Sequence, residues 1–232
     1  MSEHPINPVS ISDFSPTEQD LLRKHLSLVI QTNKTLNLTR ITSHSEGLIL
    51  HIEDSLSAWP EFKQAPEGLY GDIGSGAGFP GIPLSIVSGR ETILVDSVKK
   101  KMSVVDKMIR ALELENQITT YNGRIEELAI QKRNSFSILT ARALSSLPSL
   151  LELSSPLLKI NGQLICYKAQ LEDSELLSAK KLESVLGLSL LSSREFLLSN
   201  HEAKRCILVF QKYKEAEKIL PRKNGLAQRR PL

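Results

Sequence analysis

Apolar residues are spaced in two different ways along this chain. Up to about Phe62, Leu21, Leu22, His25, Leu28, Val29 and Leu36 recur near helical spacing, and Ser15-Pro16 supplies a start signal. The spacing predicts one helix from Ser15 and a second from Ser45 through Trp59, ended by Pro60. Together they make a helical extension over residues 1–64. From Leu69 the pattern changes to short apolar runs at Leu69–Ile73, Thr92–Val95, Gln117–Tyr121, Phe136–Thr140 and Gln163–Tyr167, with helical segments in each gap. Such βα alternation predicts an α/β domain whose mostly parallel sheet is covered on both faces. After a Leu-rich helix over Glu172–Leu186, the runs Leu188–Phe196 and Arg205–Gln211 are joined without a long crossover. They are expected to pair antiparallel at one sheet edge, closing a domain over 65–213.

Composition refines this picture at a few points. Hydrophobic residues at 41% and charged residues at 24% are ordinary globular usage, which excludes collagen-like, coiled-coil and wholly disordered chains. Aromatics reach only 5%, so the core rests on Leu, Ile and Val. No apolar stretch approaches a membrane span, and Met1–Ser10 lacks the charged start and apolar core of a signal peptide, so a cytoplasmic protein is expected. Cys166 and Cys206 sit in apolar runs and read as buried reduced thiols. The five histidines are scattered, and no metal is expected.

The net charge of +3 is uneven. From Gln211 onward seven Lys/Arg face two Glu, which leaves 22 basic and 24 acidic groups in the first 210 residues. The basicity belongs to a tail over 214–232 that has no periodicity and by itself would be flexible. Its Arg222, Lys223, Arg229 and Arg230 are candidate phosphate contacts.

The densest chemistry is Asp72-Ile73-Gly74-Ser75-Gly76-Ala77-Gly78-Phe79-Pro80-Gly81, directly after the first strand. Glycines there let the backbone turn tightly and approach a ligand, and the following helix start favours an anion. Asp96 closes the next strand, 22 residues after Gly74, a separation at which a carboxylate can accept from both ribose hydroxyls. A cap for the next helix is the alternative reading, and the glycine loop before it favours ribose binding. The glycines fit both the dinucleotide pattern Gly76-x-Gly78-x-x-Gly81 and the adenosylmethionine loop Asp72-x-Gly74-x-Gly76-x-Gly78. An antiparallel strand pair at the end, too little chain for a second substrate domain and a basic tail favour the second. A nicotinamide-dependent oxidoreductase and a non-catalytic RNA-binding protein are the alternatives.

Several segments carry a resemblance: Asn33–Thr39 (NKTLNLT), His51–Ser55 (HIEDS), Asp72–Ile86 (DIGSGAGFPGIPLSI), Leu94–Ser97, Gly123–Glu127 (GRIEE), Ala141–Ala143 and Tyr167-Lys168. They run in order over almost the whole chain, which resembles the bacterial 16S rRNA guanine-N7 methyltransferases, the RsmG (GidB) family. The resemblance implies a class I S-adenosylmethionine-dependent (Rossmann-like) methyltransferase fold, with a seven-stranded, mostly parallel sheet, an antiparallel last strand and an N-terminal helical extension. It implies S-adenosylmethionine as cofactor and 16S rRNA or the small subunit as partner, near the decoding centre; a monomer is expected. Asp72, Gly74, Gly76, Gly78 and Phe79 would line the cofactor, Asp96 would hold its ribose, and Ile125 with Glu126 would surround its adenine. Arg142, Lys168 and Arg124 match basic residues facing cofactor or RNA and are the candidate catalytic groups. His51 and Asp54, three apart on one helix face, would line the substrate pocket.

Absent motifs also inform the reaction. Exocyclic amine methylation commonly uses an Asp/Asn-Pro-Pro-Tyr/Phe loop after the fourth strand, where this chain reads Thr140-Ala141-Arg142-Ala143. Carbon-5 methylation needs a nucleophilic Cys, and Cys166 reads as packing. Guanine N7 already carries a free lone pair, so proximity and orientation suffice without a dedicated base.

Overall fold

The computed structural model describes residues 9–232; most of the segment Met1–Ser10, read above for a signal peptide, lies outside the described residues. Helix α1 (Pro16–Leu36) starts where Ser15 and Glu18 exchange hydrogen bonds, the Glu18 N–H reaching Ser15 Oγ at 3.3 Å and the Ser15 N–H reaching Glu18 Oε2 at 2.7 Å. Its buried face, Leu22, Leu26, Val29 and Ile30, shares one apolar cluster with Ile82 and Ile86 of α5 (Gly81–Ser88) and with Val105, Met108 and Ile109 of α6 (Lys99–Ala111). The N-terminal extension is therefore built into one face of the sheet.

The second expected helix is broken into pieces: α2 (His44–Gly47), a π-helical turn over Leu48–Glu53, α3 (Asp54–Leu56) and α4 (Trp59–Gln64). Pro60 does not end a helix; it sits in the first turn of α4, where its missing N–H would have no intrahelical partner. The wide π turn falls at His51, and such insertions are frequent at functional sites.

The sheet comprises β1 (Tyr70–Ile73), β2 (Thr92–Asp96), β3 (Ile118–Asn122), β4 (Phe136–Arg142), β5 (Leu158–Lys168), β6 (Leu188–Leu197) and β7 (Lys204–Lys212), in the order β3-β2-β1-β4-β5-β7-β6. Strands β1 to β5 are parallel, while β7 runs antiparallel to both β5 and β6. One face carries α5, α6 and the N-terminal helices. The other carries α7 (Ile125–Gln131), α8 (Leu147–Ser154) and α9 (Asp173–Leu186). Chain order reverses between β1 and β4, and at that point the carboxyl ends of the strands open a crevice. Both cysteines are buried free thiols, with burial pushing Cys166 up to about 12. Among the described residues no helix is long and apolar enough to cross a membrane, and no cluster of three or more His, Cys, Asp or Glu is arranged to hold a metal.

The tail departs from expectation. Leu220 and Ala227 are buried in the cluster formed by Leu147, Leu150 and Leu151 of α8, and a short helix α10 (Leu226–Arg229) follows Gly225. Arg222 is held bidentately by Glu152, Nε to Oε1 and Nη2 to Oε2, both at 2.6 Å. Sequence periodicity missed this because the segment is fixed by a few long-range contacts and has no repeating apolar face. Arg222 is thus consumed by an internal ion pair and is not a free phosphate contact. Substituting Arg222→Ala leaves the Glu152 carboxylate buried with most of its partners gone, and urea denaturation is expected to show a loss of about 3 kcal/mol. A change below 0.5 kcal/mol, roughly what an ordinary surface substitution gives, would show the tail to be held otherwise.

Candidate active site

The crevice divides into three connected spaces. The glycine loop, Thr39, His51, Asp96, Lys101 and Arg142 enclose a cavity of about 360 Å³. Beside it, Gly74, Asp96, Gly123, Ile125, Glu126 and Gln228 line a slot of about 60 Å³. On the far side of Arg142 lies a cavity of about 370 Å³ bordered by His51, Asp54, Ser145, Tyr167, Lys168 and Arg205. The two larger cavities share His51, Arg142 and Ala143.

Asp96 joins the loop to the slot. Its Oδ2 accepts the Gly76 N–H at 3.1 Å and its Oδ1 accepts the Val98 N–H at 2.8 Å, which leaves each oxygen with capacity for a further donor. It therefore organises the backbone after β2 and also faces the cavity. Gly76 adopts φ +58°, and a Cβ there would meet nothing nearer than the Gly74 carbonyl at 4.0 Å. A side chain would project into open space that a ligand could otherwise occupy against bare backbone. A nucleoside fits this arrangement: a carboxylate for ribose, a narrow slot with apolar Val95, Ile125 and Leu144 for a flat ring, and a glycine-lined cavity for the remainder.

Two expected loop contacts lie elsewhere. Asp72 is fully buried and lines none of the three spaces. Its Oδ2 accepts the Gly81 N–H at 3.0 Å and its Oδ1 the Thr140 hydroxyl at 2.7 Å, so it ties β1, β4 and the start of α5 beneath the loop. Burial pushes its carboxyl up to about 7. Gly78 likewise faces inward, toward Ile82 and His25. A buried carboxylate can organise a glycine loop without touching the ligand, and sequence spacing does not separate the two roles.

Phe79 forms the centre of a ring stack. His51 lies parallel to it at 4.4 Å, His25 packs at 4.5 Å, and the Arg142 guanidinium is 5.5 Å from its centroid. Arg142 can only donate, so its 3.5 Å approach to His51 Nδ1 makes that nitrogen the acceptor and leaves Nε2–H to donate to Thr39 Oγ1 at 3.1 Å. Burial, reinforced by the Arg142 charge, lowers His51 to about 3. His25 donates Nε2–H to the Ala77 carbonyl at 3.2 Å, its Nδ1 has no partner, and burial lowers it to about 4. Both imidazoles are neutral at pH 7.

These histidines predict a pH dependence. In the unfolded chain each protonates near pH 6.5, whereas in the folded chain each stays neutral to about 4 or below. Their stabilisation is therefore complete above pH 6.5 and is lost as pH falls, at about 1.4 kcal/mol per pH unit for each group. His25→Gln keeps a donor for Ala77 but does not titrate, so its stability should fall less steeply than wild type between pH 6.5 and 4. Parallel curves from chemical denaturation at several pH values would contradict this.

Asp54 sits between two arginines. Its Oδ2 accepts from Arg142 at 2.9 Å and its Oδ1 from Arg205 at 2.8 Å, with the Asp54 side chain 4% exposed. Lys168 is drawn to Glu175 at 2.7 Å and to the Ser145 carbonyl at 3.0 Å. Arg124 is exposed at the rim of the narrow slot and does not line the cavity of Arg142 and Lys168, so it lies outside the proposed reacting centre. Glu126 is buried beside it and accepts the Gly225 N–H at 2.6 Å. Lys223, Arg229 and Arg230 are exposed on the docked tail. Residues to which the sequence reading gave no role include Thr39, Ser145, Arg205 and Gln228; a signal existed for Thr39, which closes the segment NKTLNLT, and for Arg205, a cation opening the apolar run RCILVFQ.

Residues 18–204 match the family model GidB, described as rRNA small subunit methyltransferase G. The chain belongs to this family. A relative in Carboxydothermus hydrogenoformans, named ribosomal RNA small subunit methyltransferase G, is 35% identical over 215 residues, covering 91% of each chain. The Bacillus subtilis relative of the same name is 35% identical over 225 residues, covering 94% of this chain and 92% of its own. Among solved structures, the geranyl diphosphate C-methyltransferase of Streptomyces coelicolor, solved with S-adenosyl-L-homocysteine, aligns with a TM-score of 0.54 at 11% identity over 85% of this chain and 98% of its own. The [4+2]-cyclase SpnF aligns with a TM-score of 0.58 at 12% identity over 92% of this chain and 99% of its own. At such identities these neighbours establish the class I methyltransferase fold alone. In a GidB-family chain the glycines of the loop belong to a methyltransferase, and the dinucleotide reading is not favoured.

Proposed function

We propose that this protein transfers a methyl group from S-adenosylmethionine to N7 of one guanine of 16S rRNA near the decoding centre, acting as a cytoplasmic monomer. The observation that carries this reading is the junction of two cavities, one lined by the glycine loop and Asp96, the other by cationic side chains, at His51, Arg142 and Ala143. S-adenosylmethionine supplies an electrophilic methyl carbon on a sulfonium sulfur. The chain's own residues position a nucleophile. In the second cavity Asp54 is committed to Arg142 and Arg205, His51 is neutral with both nitrogens engaged, and burial drives the Tyr167 hydroxyl well above its usual range. None of these is placed as a free general base, which suits a nucleophile such as N7 that has no proton to lose. The cations suit O6 of guanine and the flanking phosphates, which leaves the N7 lone pair free to attack.

The reading is tested by transfer of labelled methyl from S-adenosylmethionine to unmethylated small subunits and to naked 16S rRNA, followed by aniline cleavage. Label at one cleavable guanine is the expected result; label that never becomes aniline-sensitive would exclude N7. The exposed Lys223, Arg229 and Arg230 are the tail's remaining phosphate contacts in this reading. Replacing all three by Gln should reduce the slope of log affinity against log salt by about 2, at roughly 0.7 per single-stranded phosphate contact. An unchanged slope would remove the tail from the RNA interface.

A further inference from the structure

The narrow slot beside Asp96 has one wall that comes from the far end of the sequence. Gln228, on α10, lines it together with Asp96, Ser97, Gly123, Ile125 and Glu126. Nothing local holds α10 there, since four residues cannot form a stable helix alone. The segment is instead fastened at both ends and beneath. Arg222 bonds Glu152 bidentately and also the Arg230 carbonyl at 2.8 Å, the Leu232 N–H reaches Glu152 Oε2 at 3.1 Å, and Ala227 is buried against α8. At the slot itself the Gly225 N–H donates to Glu126 Oε1 at 2.6 Å, and Asn224 Nδ2 donates to Glu127 Oε1 at 2.7 Å. Gly225 holds φ +72°, a backbone conformation that few other residues adopt without strain.

We infer that the C-terminal segment is a built wall of the cofactor's adenine slot, and that the Gln228 side-chain amide recognises the adenine amino edge. The inference rests on the cofactor reading and deepens it. A Gln amide carries a donor and an acceptor side by side, the pattern that pairs with adenine's amino hydrogen and an adjacent ring nitrogen. Glu126 is then a positioning residue: one of its oxygens holds the strap through Gly225. The α7 start and the tail, about 100 residues apart in sequence, form one recognition surface through that bond.

Calorimetric titration with S-adenosylhomocysteine and with its inosine analogue, in which the amino group becomes a carbonyl, tests the inference on the full chain. Gln228 is exposed on one side, so Gln228→Ala should fold with an unchanged melting temperature. Its affinity for S-adenosylhomocysteine is expected to fall about tenfold, with the preference over the inosine analogue shrinking by a similar factor. Affinity within twofold of wild type overturns the inference, and so does an equal loss for both ligands, which would mean contact without recognition. Failure of the wild type to bind S-adenosylhomocysteine would instead overturn the cofactor reading, and this inference with it. As a second measure, saturating S-adenosylhomocysteine should slow tryptic cleavage at Lys223 and Arg229 in the wild type more than in Gln228→Ala; equal protection in both counts against a ligand contact through Gln228.

Discussion

Replacing Asp96 by Ala is expected to weaken binding of S-adenosylhomocysteine by about 100-fold, the loss of two charge-assisted hydrogen bonds at roughly 1.5 kcal/mol each. The carboxylate is half-buried at the end of β2, and each oxygen already accepts one backbone N–H, from Gly76 or Val98. Removing it deletes the proposed ribose acceptors and also unpins the glycine loop, so the unliganded protein should lose about 1–2 kcal/mol as well. Asp96→Asn separates the two effects, because the amide retains one acceptor and most of the loop geometry. It should bind with intermediate affinity and near-normal stability. Calorimetric titration checks both variants; a dissociation constant for Asp96→Ala within threefold of wild type would assign the carboxylate to loop structure alone.

The second large effect is expected at Asp54. Its carboxylate lies between Arg142 and Arg205, whose side chains are 16% and 17% exposed. Breaking such a largely buried network by removing one partner typically costs about 3–5 kcal/mol, because the remaining charges are left uncompensated. Asp54→Ala should show that loss in urea denaturation, and methyl transfer should fall because Arg142 loses the contact that holds it beside His51 and Phe79. The double variant Asp54→Ala, Arg205→Ala should be less destabilised than the sum of the single changes, since two like charges no longer face each other. Strict additivity, or a loss below 1 kcal/mol for Asp54→Ala, would show that the arginines find other partners and that Asp54 does not organise them.

The elements differ in how far they could be read from residues alone. The strands carried their own signal: the expected Thr92–Val95 and Leu188–Phe196 runs each lie within one residue of β2 and β6, because short apolar runs with a strong change of pattern at each end are local properties. β5 was read short, as Gln163–Tyr167 against Leu158–Lys168, since its first half, Leu158–Gly162, is half-exposed and irregular at the register shift after Phe136. Pro60 starts a helix where the sequence predicts an end, because a proline that stops one helix and a proline that starts the next look alike until the chain direction is known.

At the site, the glycine loop and Asp96 were legible because tight turns need glycine wherever they occur. Which loop residues face ligand was not: Asp72 and Gly78 turn inward under the loop, and the sequence carries no mark of that.

By itself the sequence determined most of the strands, the α/β alternation and the position of the glycine-rich turn, all of which depend on residues within a few positions of one another. Tertiary structure alone decided the pairing of Asp54 with Arg142 and Arg205, the neutral ring stack on Phe79 and the docking of the basic tail on Glu126 and Glu152. Each joins residues far apart in the chain, and burial makes such contacts strong while leaving no periodic trace in the sequence.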